Sequence, residues 1–272
     1  MATTLADIQL VTEELWPSSG AEGWDAVGLV SGDPASPVTR ILLAVDAVLD
    51  TVDEAIGSGT DLLLTHHPLL LRGVTTVAED RYKGAVIARL IRGNCALLAA
   101  HTNADAVQTG TSATLAKRIG LTNIRPLVPG ESPDRGIGRI GELATPTTLG
   151  RLARQLADIL PPTAGGIRGA GDYDAPVSTV ALCAGAGDSL LGLPDVLAAD
   201  VYITSDLRHH PASEVRENAA IGAGPGLLDV SHWASEWLWL DTAAEQLRAA
   251  LPGITVTVSE LRTDPWDFLV VQ

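Results

Sequence analysis

The chain alternates short apolar runs with longer stretches in which apolar residues recur at helical spacing. Continuous apolar runs of this length are typical of strands buried on both faces, and the stretches between them are typical of amphipathic helices. We predict strands at residues 41–45, 62–64, 96–99, 177–183, 201–203 and 227–230. We predict helices at residues 5–16, 48–58, 82–92, 110–119, 148–160, 189–198, 212–220 and 234–251.

This order of elements predicts an α/β protein with largely parallel sheets. A stretch rich in glycine and proline at 126–141 separates two alternating regions, and a second break at 222–226 precedes the last strand and helix. We therefore expect two α/β domains, with the second inserted into the first. The first comprises residues 1–126 plus 227–272 and carries most of the candidate ligands described below, and the second comprises residues 127–226.

Composition narrows the classes of function. The formal net charge is −15, and such a surface repels polyanions, which argues against general binding of nucleic acid. A small anionic substrate is still compatible with this negative charge where bound cations reverse the local electrostatic field. No apolar run is long enough to cross a membrane, and the first ten residues, MATTLADIQL, do not resemble a secretory signal. We expect a cytoplasmic protein whose two cysteines, Cys95 and Cys183, are reduced and buried.

All six histidines lie directly after predicted strands. Ligands of open α/β sheets bind beyond the carboxyl ends of the strands, so these positions are candidates for a site. Imidazoles and carboxylates bind divalent first-row metals well, whereas two distant cysteines offer no thiolate cage. The residues that follow the strands are THHP at 65–68, HTNAD at 101–105, TSDLRHH at 204–210 and SH at 231–232, with a glutamate at 236.

Each of these features also has a purely structural interpretation. His232 and Glu236 are four residues apart and share one face of a helix, so they can chelate a metal or form an exposed helix pair. His66 and His67 can diverge toward two ions at the end of a strand, or can be surface residues. Asp105 can be a ligand, or can cap the helix that starts near Gly110.

Six motifs together resemble the GTP cyclohydrolase 1 type 2 homolog family, also called the NIF-three-like proteins. They occur in the order of that family, and the resemblance runs from about residue 5 to the end of the sequence. The HHP and H-x-x-x-E motifs are specific in combination. The motifs are WDAVGL at 24–29, HHPL at 66–69, HTNAD at 101–105, CAGAG at 183–187, SDLRH at 205–209 and HWASE at 232–236.

The resemblance implies two linked three-layer α/β domains with mainly parallel sheets, a homohexamer, and the short form of the family. It also implies two divalent ions per chain, whose identity can be zinc, manganese or iron. Three positions depart from the family pattern, namely Ala26, Ser205 and Ser231, and none of them is a ligand position. The ligands carried over from the family are His66, His67, Asp105, His232 and Glu236.

Two classes of function fit this resemblance. The first is a metal-dependent hydrolase acting on a nucleotide or small phosphoester, with His101, Asp206 and His209 as candidates for proton transfer or for contacts to the ligands. The second is a non-catalytic metal-binding assembly or regulatory protein, in which those three residues cap turns. Nucleotide binding without chemistry is a third interpretation, based only on the glycine-rich segment at 183–187, which is also a plain tight turn.

Overall fold

The computed structural model describes residues 2–130 and 132–271, which contain nine α-helices and thirteen strands. The helices are α1 Leu5–Leu15, α2 Leu49–Gly57, α3 Tyr82–Arg92, α4 Thr102–Ala106, α5 Thr111–Arg118, α6 Leu149–Ile159, α7 Pro194–Ala198, α8 His209–Ala220 and α9 His232–Ala250. The strands are β1 Gly28–Ser31, β2 Arg40–Ala44, β3 Leu62–Thr65, β4 Ala96–Ala99, β5 Leu121–Arg125, β6 Val128–Pro129, β7 Gly136–Ile137, β8 Arg139–Thr148, β9 Arg168–Ala170, β10 Pro176–Ala186, β11 Val201–Ser205, β12 Gly226–Val230 and β13 Thr255–Val258.

The chain divides into two compact units. The first unit comprises residues 1–104 and 240–263, and the second comprises residues 105–239 and 264–272. None of the described helices combines the length and the apolar character needed to cross a bilayer.

The first unit contains a five-stranded sheet in the order β1-β4-β3-β2-β13. The strands β13, β2, β3 and β4 run parallel, and β1 pairs antiparallel with β4. Every residue of β3 and β4 is buried, which explains why these strands are continuous apolar runs rather than alternating ones. Side chains such as Leu42, Leu63 and Leu97 pack with Val52 of α2 and Val86 of α3 into one apolar core.

The second unit contains a six-stranded sheet in the order β5-β8-β10-β11-β12-β9, and the short strands β6 and β7 form a separate pair. Only β10, β11 and β12 are mutually parallel, while β5, β8 and β9 add antiparallel edges. Ala181, Tyr202 and Leu227 of the parallel strands pack with Val215 of α8 into the core of this unit. The parallel strands β11 and β12 are buried at nearly every position, as β3 and β4 are in the first unit.

The predicted α/β class is confirmed, and each predicted strand coincides with a strand of the structure. Helix α1 begins with the capping box that its sequence predicts, in which the Asp7 amide donates to the Thr4 hydroxyl and the Thr4 amide donates to the Asp7 carboxylate.

The boundaries of the compact units differ from the break expected at residue 126. Residues 105–126 group with the second unit because β5 pairs with β8, and residues 227–239 do so because β12 pairs with β11.

Candidate metal-binding residues

His66 and His67 continue the backbone ladder just beyond β3, which fixes their positions. The His66 amide donates to the Ala44 carbonyl at 3.0 Å, and the His67 amide donates to the Val45 carbonyl at 2.8 Å. His66 is fully buried. Its Nδ1 lies 2.9 Å from the Ala100 carbonyl oxygen, an acceptor that requires the ring proton to be on Nδ1. The Nε2 atom of His66 therefore carries the lone pair that a metal ligand needs.

His67 and His101 are each oriented by a carboxylate. Nδ1 of His67 lies 2.7 Å from Oδ1 of Asp46, and Nδ1 of His101 lies 2.9 Å from Oδ1 of Asp25. A carboxylate behind the Nδ1 atom of an imidazole fixes the ring and makes Nε2 a better metal donor. Neither carboxylate was predicted from the sequence, although Asp46 follows a predicted strand and Asp25 belongs to the WDAVGL motif.

The side chain of Asp25 is fully buried and accepts hydrogen bonds from both His101 and Thr102. Burial alone would raise the pKa of Asp25, but hydrogen bonds from Thr102 and His101 outweigh burial and lower it. The Thr102 amide donates to Oδ2 at 3.0 Å, and the Thr102 hydroxyl donates to the same oxygen. The carboxylate of Asp25 therefore holds both the His101 ring and the first residue of α4.

These contacts bring three imidazoles together in the first unit. One ring nitrogen from each of His66, His67 and His101 lies within 4.8 Å of the other two, and the ring centroids are 5.1 to 5.6 Å apart. Imidazoles oriented by an acceptor behind the Nδ1 atom are donors suited to a divalent first-row ion. His101, which the sequence presented as a proton-transfer candidate, thus lies beside the two predicted ligands of this unit.

The second unit brings His232 and Glu236 together at the start of α9. Nε2 of His232 lies 3.1 Å from Oε1 of Glu236, and Nδ1 of the same ring lies 2.7 Å from Oδ2 of Asp206. Burial would lower the pKa of His232, but the carboxylates of Glu236 and Asp206 raise it to about 11. A divalent cation would take the place of the proton that these two carboxylates retain on the ring.

Glu236 is only 3% exposed, and a glycine makes room for its carboxylate. A Cβ atom at Gly185 would lie 2.2 Å from Oε1 of Glu236 and 3.2 Å from Nε2 of His232, and the backbone there has a φ of +71°. The Gly185 amide also donates to the hydroxyl of Ser235 at 2.9 Å. The glycine-rich segment at 183–187 therefore packs directly against two predicted ligands, a role that its sequence alone did not indicate.

Asp105 and Asp206 are both held by local contacts in the second unit. The hydroxyl of Thr111, the first residue of α5, donates to Oδ1 of Asp105. Asp206 follows β11 with a φ of 59°, a left-handed conformation that aspartate tolerates better than most residues. Such conformations are concentrated at functional sites, and here the carboxylate of Asp206 orients the His232 ring.

Among the described residues, His209 is the one predicted catalytic residue that contacts neither the three imidazoles of the first unit nor the pair of His232 and Glu236. It is exposed at the first position of α8, and its ring centroid lies 5.2 Å from that of His210 in an edge-to-face arrangement. His209 lines a cavity between α8 and the sheet of the second unit. Its possible part in catalysis stays a prediction.

The sheets and the imidazole and carboxylate groups described above define the class: α/β proteins whose strand ends carry residues able to hold divalent metals. A model of the DUF34/NIF3 (NGG1p interacting factor 3) family matches residues 3–265, and this chain belongs to that family. It is 48% identical over 269 residues to the GTP cyclohydrolase 1 type 2 homolog of Streptomyces coelicolor, which covers 96% of this chain and 93% of the relative. The same-named protein of Clostridium perfringens is 33% identical, covering 97% and 99%.

Solved structures share the fold over nearly the whole chain. A hypothetical protein of Staphylococcus aureus superposes with a TM-score of 0.88 at 26% identity, covering 99% of this chain and all of that protein. A Bacillus cereus protein related to NIF3 has a TM-score of 0.86 at 23% identity, covering 99% of this chain and all of that protein, and shows the fold alone. These similarities confirm the resemblance and the α/β fold that the motifs predicted.

Proposed function

We propose that this chain holds a pair of divalent metal ions and is a metal-dependent hydrolase. The ligands would be the five carried over from the family: His66, His67, Asp105, His232 and Glu236. The observation that carries the proposal is that His66 and His67, two of these ligands, each have an oxygen acceptor behind the Nδ1 atom and lie beside a third imidazole, that of His101. This arrangement is typical of ring nitrogens that ligate metals.

The second unit supports the proposal independently. The pair of His232 and Glu236 has the spacing of a chelating helix turn, and Asp206 holds the His232 ring from behind. Gly185 leaves the space that the Glu236 carboxylate occupies. The five proposed ligands offer nitrogen and oxygen donors, which suit zinc, manganese or iron rather than a thiolate-preferring metal.

When bound, two divalent ions would lower the pKa of a water molecule and neutralise negative charge on a leaving group. The protein residues would orient the ligands and transfer the proton. Asp206 would keep the His232 ring in one orientation, and Asp25 would do the same for His101. Of the described histidines near the predicted ligands, His101 is the one we propose to accept and return a proton, since imidazole titrates close to neutral pH.

We propose a nucleotide or a small phosphoester as the substrate. The name of the curated relatives, GTP cyclohydrolase 1 type 2 homolog, suggests hydrolysis of a purine nucleotide, but the fold by itself does not determine a substrate. An anionic substrate is compatible with a chain of net charge −15 because bound cations would reverse the field locally. Assembly of the chain into a homohexamer is part of the same proposal.

The first test is metal analysis of the chain purified without added metal or a histidine tag. We expect about two ions per chain in the wild type, as two-metal hydrolases carry, and substoichiometric metal in His66→Ala and Glu236→Ala. His210→Ala is the matched control, because His210 is exposed on α8 and belongs to neither donor group. Metal content that stays low after zinc, manganese or iron is added back would overturn the dinuclear proposal.

The second test separates catalysis from metal binding alone. Phosphoesters and nucleotides are screened with the wild type, and each active substrate is then tested with Asp206→Ala, His209→Ala and His101→Gln. Turnover that falls while metal content is unchanged supports a hydrolase. Full metal occupancy with no turnover of any nucleotide or phosphoester supports the non-catalytic assembly or regulatory protein instead.

A further inference from the structure

The second unit contains a cavity of about 370 Å³ between α8 and the edge formed by β9 and β12. Its lining includes three arginines, namely Arg168 of β9, Arg208 just before α8 and Arg216 within α8. Among the described residues, Asp229 of β12 is the only carboxylate in the lining. In a chain with a net charge of −15, the lining of this cavity thus carries three arginines against one carboxylate.

The arginines differ in how they are already engaged. Arg168 donates to Oδ2 of Asp229, and Arg208 donates to Asp188 with distances of 2.6 and 3.1 Å. Arg216 is exposed and has no ion-pair partner among the described residues. The first turn of α8 contains no acidic residue, and its N-cap residue makes no side-chain hydrogen bond to the helix. The amides at this helix end therefore add to the positive potential of the cavity.

Asp229 supplies a second and independent feature. Its side chain is 9% exposed, and among the described residues Oδ1 has no donor at normal hydrogen-bonding distance and angle, although Oδ2 is held by Arg168. Burial raises the pKa of this carboxyl group, and the nearby Arg168 and Leu207 amide only partly offset the effect. A buried carboxylate oxygen without a donor is destabilising, and a ligand that donates a hydrogen bond to it would remove that penalty.

We propose that this cavity is a binding site for a small phosphorylated molecule that also carries a hydroxyl or amino group. The phosphate group would bind Arg216, the remaining N–H groups of Arg168 and the start of α8, because guanidinium groups match phosphate oxygens in geometry. The hydroxyl or amino group would donate to Oδ1 of Asp229. The volume is within the range of small-molecule sites. None of the proposed metal ligands lines this cavity, although the catalytic candidate His209 does, and phosphate binding here does not depend on the hydrolase proposal.

The test uses the full chain after chelation of metal, so that phosphate cannot bind through a metal ion. Calorimetry at low salt measures binding of methyl phosphate and of glycerol phosphate, which differ in their hydroxyl donors. We expect saturable binding of both, with glycerol phosphate about tenfold tighter because of one additional hydrogen bond to a carboxylate. Arg216→Gln should weaken both about tenfold. Arg118→Gln, a change of an exposed arginine outside the cavity, should leave both affinities within about twofold.

A second variant tests the buried carboxylate. Asp229→Leu should abolish the preference for glycerol phosphate over methyl phosphate while retaining binding of methyl phosphate. Equal affinities in Arg216→Gln and Arg118→Gln, or no saturable binding of either phosphate, would overturn the proposal. Binding that requires added metal and is unchanged in Arg216→Gln would place the anion at the metal ligands instead, which also refutes it while leaving the hydrolase proposal intact.

Discussion

Gly185→Ala tests whether this glycine makes room for the carboxylate of Glu236. The new Cβ atom would lie 2.2 Å from Oε1 of Glu236, whereas ordinary contacts of a Cβ atom begin near 3.4 Å. The carboxylate must therefore move by about 1 Å, since the distance has to grow by that amount. Glu236 is 3% exposed and has little room to move without losing its 3.1 Å contact to His232. Misplacing a ligand by this amount should weaken metal binding about 100-fold or more.

The stability effect of the same substitution has two parts. A non-glycine residue in the left-handed region costs about 1 kcal/mol, and loss of the charged contact between Glu236 and His232 adds about 1 to 2 kcal/mol. Gly120→Ala is the matched control, because Gly120 has a φ of +82° but no atom within 4 Å of its added Cβ. The control carries the backbone strain without the steric clash.

The assays are urea denaturation of the metal-free proteins and a competitive metal titration. We expect both variants to lose about 1 kcal/mol from backbone strain, with Gly185→Ala losing a further 1 to 2 kcal/mol. Only Gly185→Ala should lose metal affinity. If Gly185→Ala binds metal as tightly as Gly120→Ala does, the glycine does not make room for a ligand and the reasoning is refuted.

Three further predictions follow from buried polar groups. Asp25→Asn should remove a contribution to the free energy of unfolding that depends on pH. Because the folded-state pKa of Asp25 is lowered, this contribution is present in the wild type above about pH 3.9 and is lost as the pH falls through the folded-state pKa. Urea denaturation curves of the wild type and the variant should therefore converge in acid. Arg139→Met should lower the free energy of unfolding by about 3 kcal/mol, because three carbonyls lose their buried donor; a loss below about 1 kcal/mol contradicts this. Burial raises the pKa of Cys95 to about 11 and of Cys183 to about 12, so a thiol reagent at pH 8 should label neither in the native protein and both after denaturation.

Much of the fold was predictable because its central strands are buried on both faces. The runs around Leu42, Leu63 and Leu97 are continuous and apolar for that reason, and the helices between them have clear periodicity. The antiparallel strands β1, β5, β8 and β9 were not predicted. Their burial patterns are mixed, and β5 and β9 are edge strands with exposed residues, so their sequences lack the apolar run that marks a central strand.

The grouping of candidate site residues was predictable only in part. The rule that ligands follow the carboxyl ends of strands pointed to His66, His101 and His232, and the motifs supplied Asp105 and Glu236. Of the carboxylates that orient the rings, Asp206 was a candidate from the sequence, but Asp25 and Asp46 were not found, because Asp25 is 76 residues from His101 in the chain and Asp46 is 21 residues from His67. No local spacing relates residues that far apart.

The amino-acid sequence by itself determined the α/β class, the central strands, the family and the histidine and carboxylate donors. Buried strands, helical periodicity and motif order can all be recognised from residues that are close together in the chain. The tertiary structure decided which side chains stand behind the imidazoles, and it gave Gly185 a steric reason to be a glycine. It also decided that three arginines and the buried carboxylate of Asp229 line one cavity. These features depend on contacts between residues far apart in the chain, and only folding brings such residues within the few ångströms at which hydrogen bonds and charges act.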